Sequence, residues 1–196
     1  MKLYLSPGAC SLADHIALHE AGLDFERVTV DLKTKTTGDG QDFTRINPKG
    51  YVPALQFDDG EVLTENIAIL SWIADRSDLG GPGGDLSRAR LLEALAFIST
   101  EIHKQFKPFF SGGSDEAKAG ARQTIEKRLG FLADGLTGDY LFGDKVSVAD
   151  AYLFVMLMWA GRTGVGVPGP LAAFAERMKQ RPAVRLALEH EGLAGG

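Results

Sequence analysis

Up to about residue 80 the apolar positions fall in short runs, some strand-like and some helical. Beyond that point only the helical period remains. Lys2–Leu5 reads as a strand, and Cys10–Ala21 as a helix that stops at Gly22, a residue suited to the left-handed position after a helix. Phe25–Val30 is again strand-like, with Phe25 breaking strict alternation. Residues 33–50 are polar and irregular. Ala54–Phe57, the turn Asp58-Asp59-Gly60 and Val62–Thr64 form a hairpin pattern, and Glu65–Asp75 is helical. The order predicts a small α/β sheet with helices packed on it.

Ser77–Ser87, with four glycines and one proline, reads as a linker. Ser87 is placed to cap a helix starting at Arg88, whose apolar face holds Leu91, Leu92, Leu95, Phe97, Ile98 and Ile102. Further helices are predicted over Glu116–Leu136, Ser147–Trp159, Leu171–Gln180 and Ala183–Leu188, the last two separated by Pro182. Ser147-Val148-Ala149-Asp150 has capping-box spacing at the start of a buried helix. The expected division is an α/β domain over 1–78, a linker over 79–87 and an all-helical domain over 88–196.

Composition narrows this picture. The chain has 196 residues and is 44% hydrophobic, which suits a packed soluble protein. A net charge of −5 argues against non-specific binding to nucleic acid or to a membrane surface. A single cysteine makes no internal disulfide, no signal peptide is visible, and a cytoplasmic setting is expected. The most apolar stretch, Ala149–Gly161, contains Asp150 and falls short of the roughly 20 residues that span a bilayer.

The cysteine, Cys10, lies where the first strand hands over to the first helix. Such a position favours a thiolate through unpaired N–H groups and the helix dipole. A lone cysteine is equally a small buried hydrophobe. Position 13 is alanine, so no second thiol resolves a mixed disulfide. Ser11 offers a hydroxyl either to a bound thiolate or to the helix terminus. In Asn47–Leu55, Pro48 and Pro53 flank Gly50. This is either a rigid turn or a loop offering the backbone of Val52 to an extended peptide. Glu65 suits a helix N-terminus, and alternatively a ligand carrying both a carboxylate and an amine. His15 and His19 have metal-ligand spacing, but no third ligand is evident. They are assigned to a solvated or half-buried face, His190 to the surface, and no metal is expected. His103 is placed to hold or move a proton if it faces a cleft.

In order, the segments MKLYLSPGACSLADHIALHEAG, DFERVTVDL, INPKGYVPAL, LTENIAIL, TEIHK and VSVADAYLFVMLMWA resemble the cytosolic glutathione transferases over nearly the full length. The pairing of PGACS with TEIHK is similar to the bacterial beta class in particular. The resemblance implies a thioredoxin-like N-terminal domain, an all-α C-terminal domain, a homodimer, and a detoxifying role with glutathione as co-substrate. It implies that Cys10 lies beside the glutathione sulfur, with His103 matching the family histidine. Lys35 matches the lysine that meets the glycyl carboxylate. Val52, before a cis-proline at Pro53, matches the residue pairing with the cysteinyl backbone, and Glu65 and Asn66 match the γ-glutamyl pair. Thr100, Glu101 and Lys104 match a cluster reaching the ligand across the dimer. Two positions depart from the pattern: Asn66 stands where a serine is usual, and Ala96 where the beta class often has asparagine. Tyr4 is read as a packing residue inside the first strand.

The implied mechanism stabilises the glutathione thiolate with donors near Cys10 and Ser11 and with His103, next to an apolar pocket for a small electrophile. Phe106, Phe109, Phe110 and Trp159 are the candidate wall of that pocket, or else core. Two other functions compete: glutathione-dependent reduction of disulfides or peroxides through Cys10, and a non-enzymatic ligand-carrying or regulatory module.

Overall fold

The computed structural model describes residues 1–194, so Gly195 and Gly196 of the predicted helical domain lie outside the described residues. Residues 1–79 and 181–194 gather into one unit, and residues 80–180 into another.

In the first unit, β1 (Lys2–Leu5) is central because Leu3, Tyr4 and Leu5 are all apolar enough to be buried. It pairs in parallel with β2 (Glu26–Asp31), and β2 pairs antiparallel with the two-residue β3 (Thr36–Thr37). On its other side β1 pairs antiparallel with β4 (Ala54–Gln56), which carries β5 (Val62–Thr64). The sheet order is therefore β3-β2-β1-β4-β5. β3 sits within the stretch read as irregular, since two threonines give no periodic signal. Alternate residues of a strand face opposite ways. Tyr4 thus joins Val30, Phe43, Val52 and Ala54 in one apolar cluster, while Leu3 and Leu5 turn to the other face. Tyr4 is a packing residue, its ring 5.5 Å from Phe43 and its hydroxyl donating to Gln56 Oε1 at 2.9 Å.

Helices α1 (Leu12–Glu20) and α2 (Asn66–Ala74) bury Leu12, Ile16, Leu18, Ile69, Leu70 and Ile73. Gly22 follows α1 at φ +64°, as expected for a left-handed terminus. The closing helix α8 (Pro182–His190), assigned by sequence to the helical half, packs on α1 instead. Its own polar groups explain this. Arg181 pairs with Glu20 through two contacts of 2.5 and 2.8 Å. Glu191 accepts from Gly8 N at 2.8 Å and lies 2.8 Å from His15 Nδ1. Pro182 does not separate two helices as a spacer. It occupies the first turn of α8, where its missing N–H is harmless.

In the second unit α3 (Ser87–Phe97) runs into a π-helical turn over Ile98–Ile102, a 3₁₀ turn over His103–Phe106 and the short α4 (Lys107–Phe110). The predicted single helix is thus a series of differently wound turns. Leu91, Leu95, Ile98 and Ile102 are buried, whereas Leu92 is exposed. α5 (Asp115–Asp134), α6 (Val148–Thr163) and α7 (Gly169–Lys179) follow. α6 is buried along most of its length. Its start is fixed by the capping box read from sequence: Asp150 Oδ2 accepts from Ser147 N at 2.7 Å and from the Ser147 hydroxyl at 2.6 Å. Oδ1 accepts from Leu141 N at 2.8 Å, tying the preceding loop to the same carboxylate. Among the described residues no helix is long and apolar enough to cross a membrane.

Candidate functional site

In the first unit Gly8, at φ +71°, turns the chain out of β1 and Cys10 stands two residues ahead of α1. Its Sγ contacts the carbonyl oxygen of Val52 at 3.6 Å, and the Val52–Pro53 bond is cis. The thiol is partly exposed, yet burial pushes it up to about 12, with the nearby Asp14 carboxyl adding to the shift. The helix N-terminus does not win here. Cys10 is a neutral thiol at pH 7, able to donate a hydrogen bond. Asp14 is itself fully buried, and desolvation holds its carboxyl well above the ordinary range.

Ser11 is fully buried, and its oxygen accepts from Ser6 N at 3.2 Å. A hydroxyl so enclosed serves the turn out of β1. Asn66 is also turned inward. Its Nδ2 donates to Cys10 O at 3.0 Å and to Asp14 Oδ2 at 3.1 Å, joining the start of α2 to the start of α1. The first-turn backbone amides of α2 have no partner within the helix.

The loop opposite Cys10 is braced from within. Asn47 Nδ2 donates to Tyr51 O at 2.7 Å, and Lys35 Nζ donates to Gly50 O at 2.8 Å. Lys35 adopts φ +58°, and Glu65 adopts φ +79°, ψ +128°, a conformation that L-residues rarely occupy. The backbone thereby presents the exposed Glu65 carboxylate at the start of α2. Lys49 Nζ reaches Glu65 Oε1 at 2.5 Å, and the Tyr51 hydroxyl donates to the same oxygen at 2.8 Å. These two hydrogen bonds hold the Glu65 carboxyl below its usual range. Sequence reasoning did not single out Lys49 or Tyr51. Their signal was the i, i+2 spacing that puts two donors on one side of an extended loop.

In the second unit His103 Nδ1 lies 2.6 Å from the hydroxyl of Tyr152 on α6, a partner the sequence reading missed. Burial, and secondarily the charge of Lys104, lowers His103 to about 4, so the ring is neutral at pH 7. Trp159 packs edge-on at 5.1 Å. The four candidate pocket aromatics do form one group with it. Trp159 lies 5.5 Å from Phe106 and 4.8 Å from Phe110, and Phe106 lies 6.1 Å from Phe109. They are not equivalent, however. Phe106 is fully buried and Trp159 nearly so, as core residues are; Phe110 is 55% exposed and offers an apolar face. Thr100 Oγ1 donates to Ala96 O at 2.9 Å, and Glu101 pairs with Arg128 at 2.6 Å. Lys104 is exposed.

A cis-proline loop facing a thiol at a strand–helix junction, on a mixed five-stranded sheet, defines a thioredoxin-like fold. Residues 9–76 match the family described as glutathione S-transferase, N-terminal domain, and residues 115–190 match glutathione S-transferase, C-terminal domain. Glutathione S-transferase GstA of Escherichia coli O157:H7 is 44% identical over 98% of this chain and 100% of its own length. A sphingomonad glutathione S-transferase solved in complex with glutathione is 49% identical, with a TM-score of 0.91 over 99% of this chain and 100% of that one. The enzyme of Sphingomonas chungbukensis, described as a bacterial beta class glutathione S-transferase, is 48% identical, with a TM-score of 0.91 and the same coverage. The chain belongs to the glutathione S-transferase family.

Proposed function

We propose that this protein is a beta-class glutathione transferase that joins the glutathione sulfur to small, largely apolar electrophiles. The observation that carries the reading is the neutral Cys10 thiol at the Val52 carbonyl, beside the cis-proline. An unperturbed thiol has a pKa of about 8.5 and is mostly protonated at pH 7. A thiol pushed to about 12 is the poorer acid of the two, so Cys10 keeps its proton while glutathione gives one up to solvent. Cys10 then serves as an S–H donor to the glutathione thiolate and not as the attacking group. The thiolate forms a carbon–sulfur bond with the electrophile, and the leaving group departs with the bonding electrons.

In the proposed binding mode, Val52 pairs with the extended backbone of glutathione and Pro53 fixes its direction. Glu65 takes the γ-glutamyl amine, exchanging it for the Lys49 ammonium. The α-carboxylate meets the α2 amides that begin at Asn66, and Lys35 faces the glycyl carboxylate. His103, neutral and backed by Tyr152, serves as a hydrogen-bonding group, with Phe109 and Phe110 on the electrophile side. The proposal includes a homodimer in which Thr100, Glu101 and Lys104 serve the partner's ligand, and a cytoplasmic setting. The first domain (1–78) is the glutathione-binding one in this reading.

Wild type, Cys10→Ala and His103→Ala are compared in aryl-halide conjugation and in reduction of a glutathione mixed disulfide. Conjugation slowed in Cys10→Ala supports the donor role; conjugation fully retained with reduction lost overturns it and assigns the cysteine to a reductase branch. A wild type that neither binds immobilised glutathione nor turns over either substrate overturns the enzymatic reading and leaves a ligand-carrying module.

A further inference from the structure

Outside the region of Cys10, the first unit contains a second cluster of chemistry. His15 and His19, one turn apart on α1, meet His190 at the end of α8. The ring centroids lie 5.0 Å apart for His15 and His19, 5.4 Å for His19 and His190, and 5.7 Å for His15 and His190. One ligating nitrogen from each ring lies within 4.8 Å of the others. The third ligand missing from the sequence pattern is thus supplied by a residue far along the chain. His15 is not on a solvated face at all but fully buried.

The hydrogen bonds of this cluster leave two nitrogens over. His15 Nδ1 faces Glu191 Oε1, so the nitrogen that this contact leaves over for a ligand is Nε2. That buried Nε2 has no hydrogen-bond partner, and neither does the buried Nε2 of His19. An orphaned buried acceptor costs about 1–3 kcal/mol. Here two of them fall on neighbouring rings of the same cluster. A carboxylate on the far nitrogen of a ligating histidine is also how metal-binding imidazoles are oriented and made more basic. Phe25 closes one side, its ring 5.0 Å from His19 and 5.7 Å from His15.

We propose that His15, His19 and His190 form a site for a divalent, imidazole-preferring transition metal of the zinc class, separate from the glutathione site. Imidazole is a natural ligand for Zn²⁺, and three histidines with an open fourth position is an established zinc geometry. Bonds of about 2.0–2.1 Å require the nitrogens to stand roughly 3.3 Å apart in a tetrahedron. His15 is held by Glu191, while the part-exposed His19 and exposed His190 have room to close the difference. Burial, then the neighbouring histidines and Arg27, lowers His19 to about 4; burial and then Arg27 lowers His190. Arg27 on β2 is the unfavourable charge, and it is exposed and free to turn to solvent; Glu191 and Glu189 are the favourable ones. Glu191 also accepts from Gly8, two residues before Cys10, so a loaded site holds the turn that carries the cysteine.

The test is equilibrium dialysis of the untagged full chain against Zn²⁺, with Co²⁺ as a spectroscopic substitute. One zinc per chain is expected, with visible absorption of tetrahedral Co²⁺. His190→Ala and His19→Ala each weaken binding at least about tenfold. Cys10→Ser leaves it unchanged. Because His190 is exposed, its variant keeps the fold, which circular dichroism checks. Absence of stoichiometric zinc on wild type overturns the proposal. So does binding that survives both histidine variants, or binding that disappears in Cys10→Ser.

Discussion

Cys10 is the sole cysteine, so the rate at which an alkylating reagent marks the protein reports that residue alone. With its thiol pushed up to about 12, the thiolate fraction at pH 7 is about one in 10⁵, against about 3% for a free thiol with pKa near 8.5. The ratio is roughly 3,000. A more basic thiolate is also a better nucleophile, with a Brønsted slope of about 0.4–0.5, which over about 3.5 units recovers some 30- to 50-fold. The net expectation is alkylation by iodoacetamide about a hundredfold slower than that of free cysteine at pH 7. The rate should rise about tenfold per pH unit without levelling off before pH 10. Mass spectrometry of the intact chain, sampled over time in the absence of glutathione, measures it. A rate equal to that of free cysteine, or a profile that levels off near pH 7, refutes the argument that burial and Asp14 outweigh the helix N-terminus at this sulfur.

Three further expectations follow from the geometry. Asp150→Ala removes a fully buried acceptor from Leu141 N and Ser147 N and should lower stability by about 3–5 kcal/mol in urea unfolding, whereas Asp150→Asn should lose less. His103 and His19 both have folded pKa values near 4, below the unfolded value of about 6.5, so the unfolded chain binds more protons on acidification. Their contribution is complete above pH 6.5 and lost as the pH falls towards 4; the unfolding midpoint should drop over that window and drop less in His103→Gln. Glu65→Gln removes the carboxylate proposed for the γ-glutamyl amine, and a charge-assisted hydrogen bond of about 1.5–3 kcal/mol predicts a 10- to 100-fold higher KM for glutathione with a smaller change in kcat.

The parts of the molecule legible in the sequence are those whose physics is local. The run Leu3–Leu5 is uniformly apolar because a central strand is buried on both faces. Asp58-Asp59-Gly60 sits between two strands that pair as read, and the Ser147–Asp150 spacing declares a capping box that the structure contains. The features that escaped are those decided between distant residues. Nothing near His15 announces Glu191, 176 positions later, and nothing near His103 announces Tyr152. The π-helical turn at Ile98–Ile102 interrupts an apolar pattern that remains compatible with an ordinary helix. The behaviour of Cys10 was legible as a position but not as an acidity, because desolvation and Asp14 act through packing that the local sequence does not encode.

The return of α8 to α1 also bears on how the chain is made. The sheet, α1 and α2 are synthesised first, yet the partners of Glu20, His15 and Gly8 belong to residues 181–191. On a ribosome the early segment must wait, with one flank of α1 uncovered, while the whole of 80–180 emerges and folds. The second unit is in this sense a guest inserted into the first, and the last helix is the latch that completes the host.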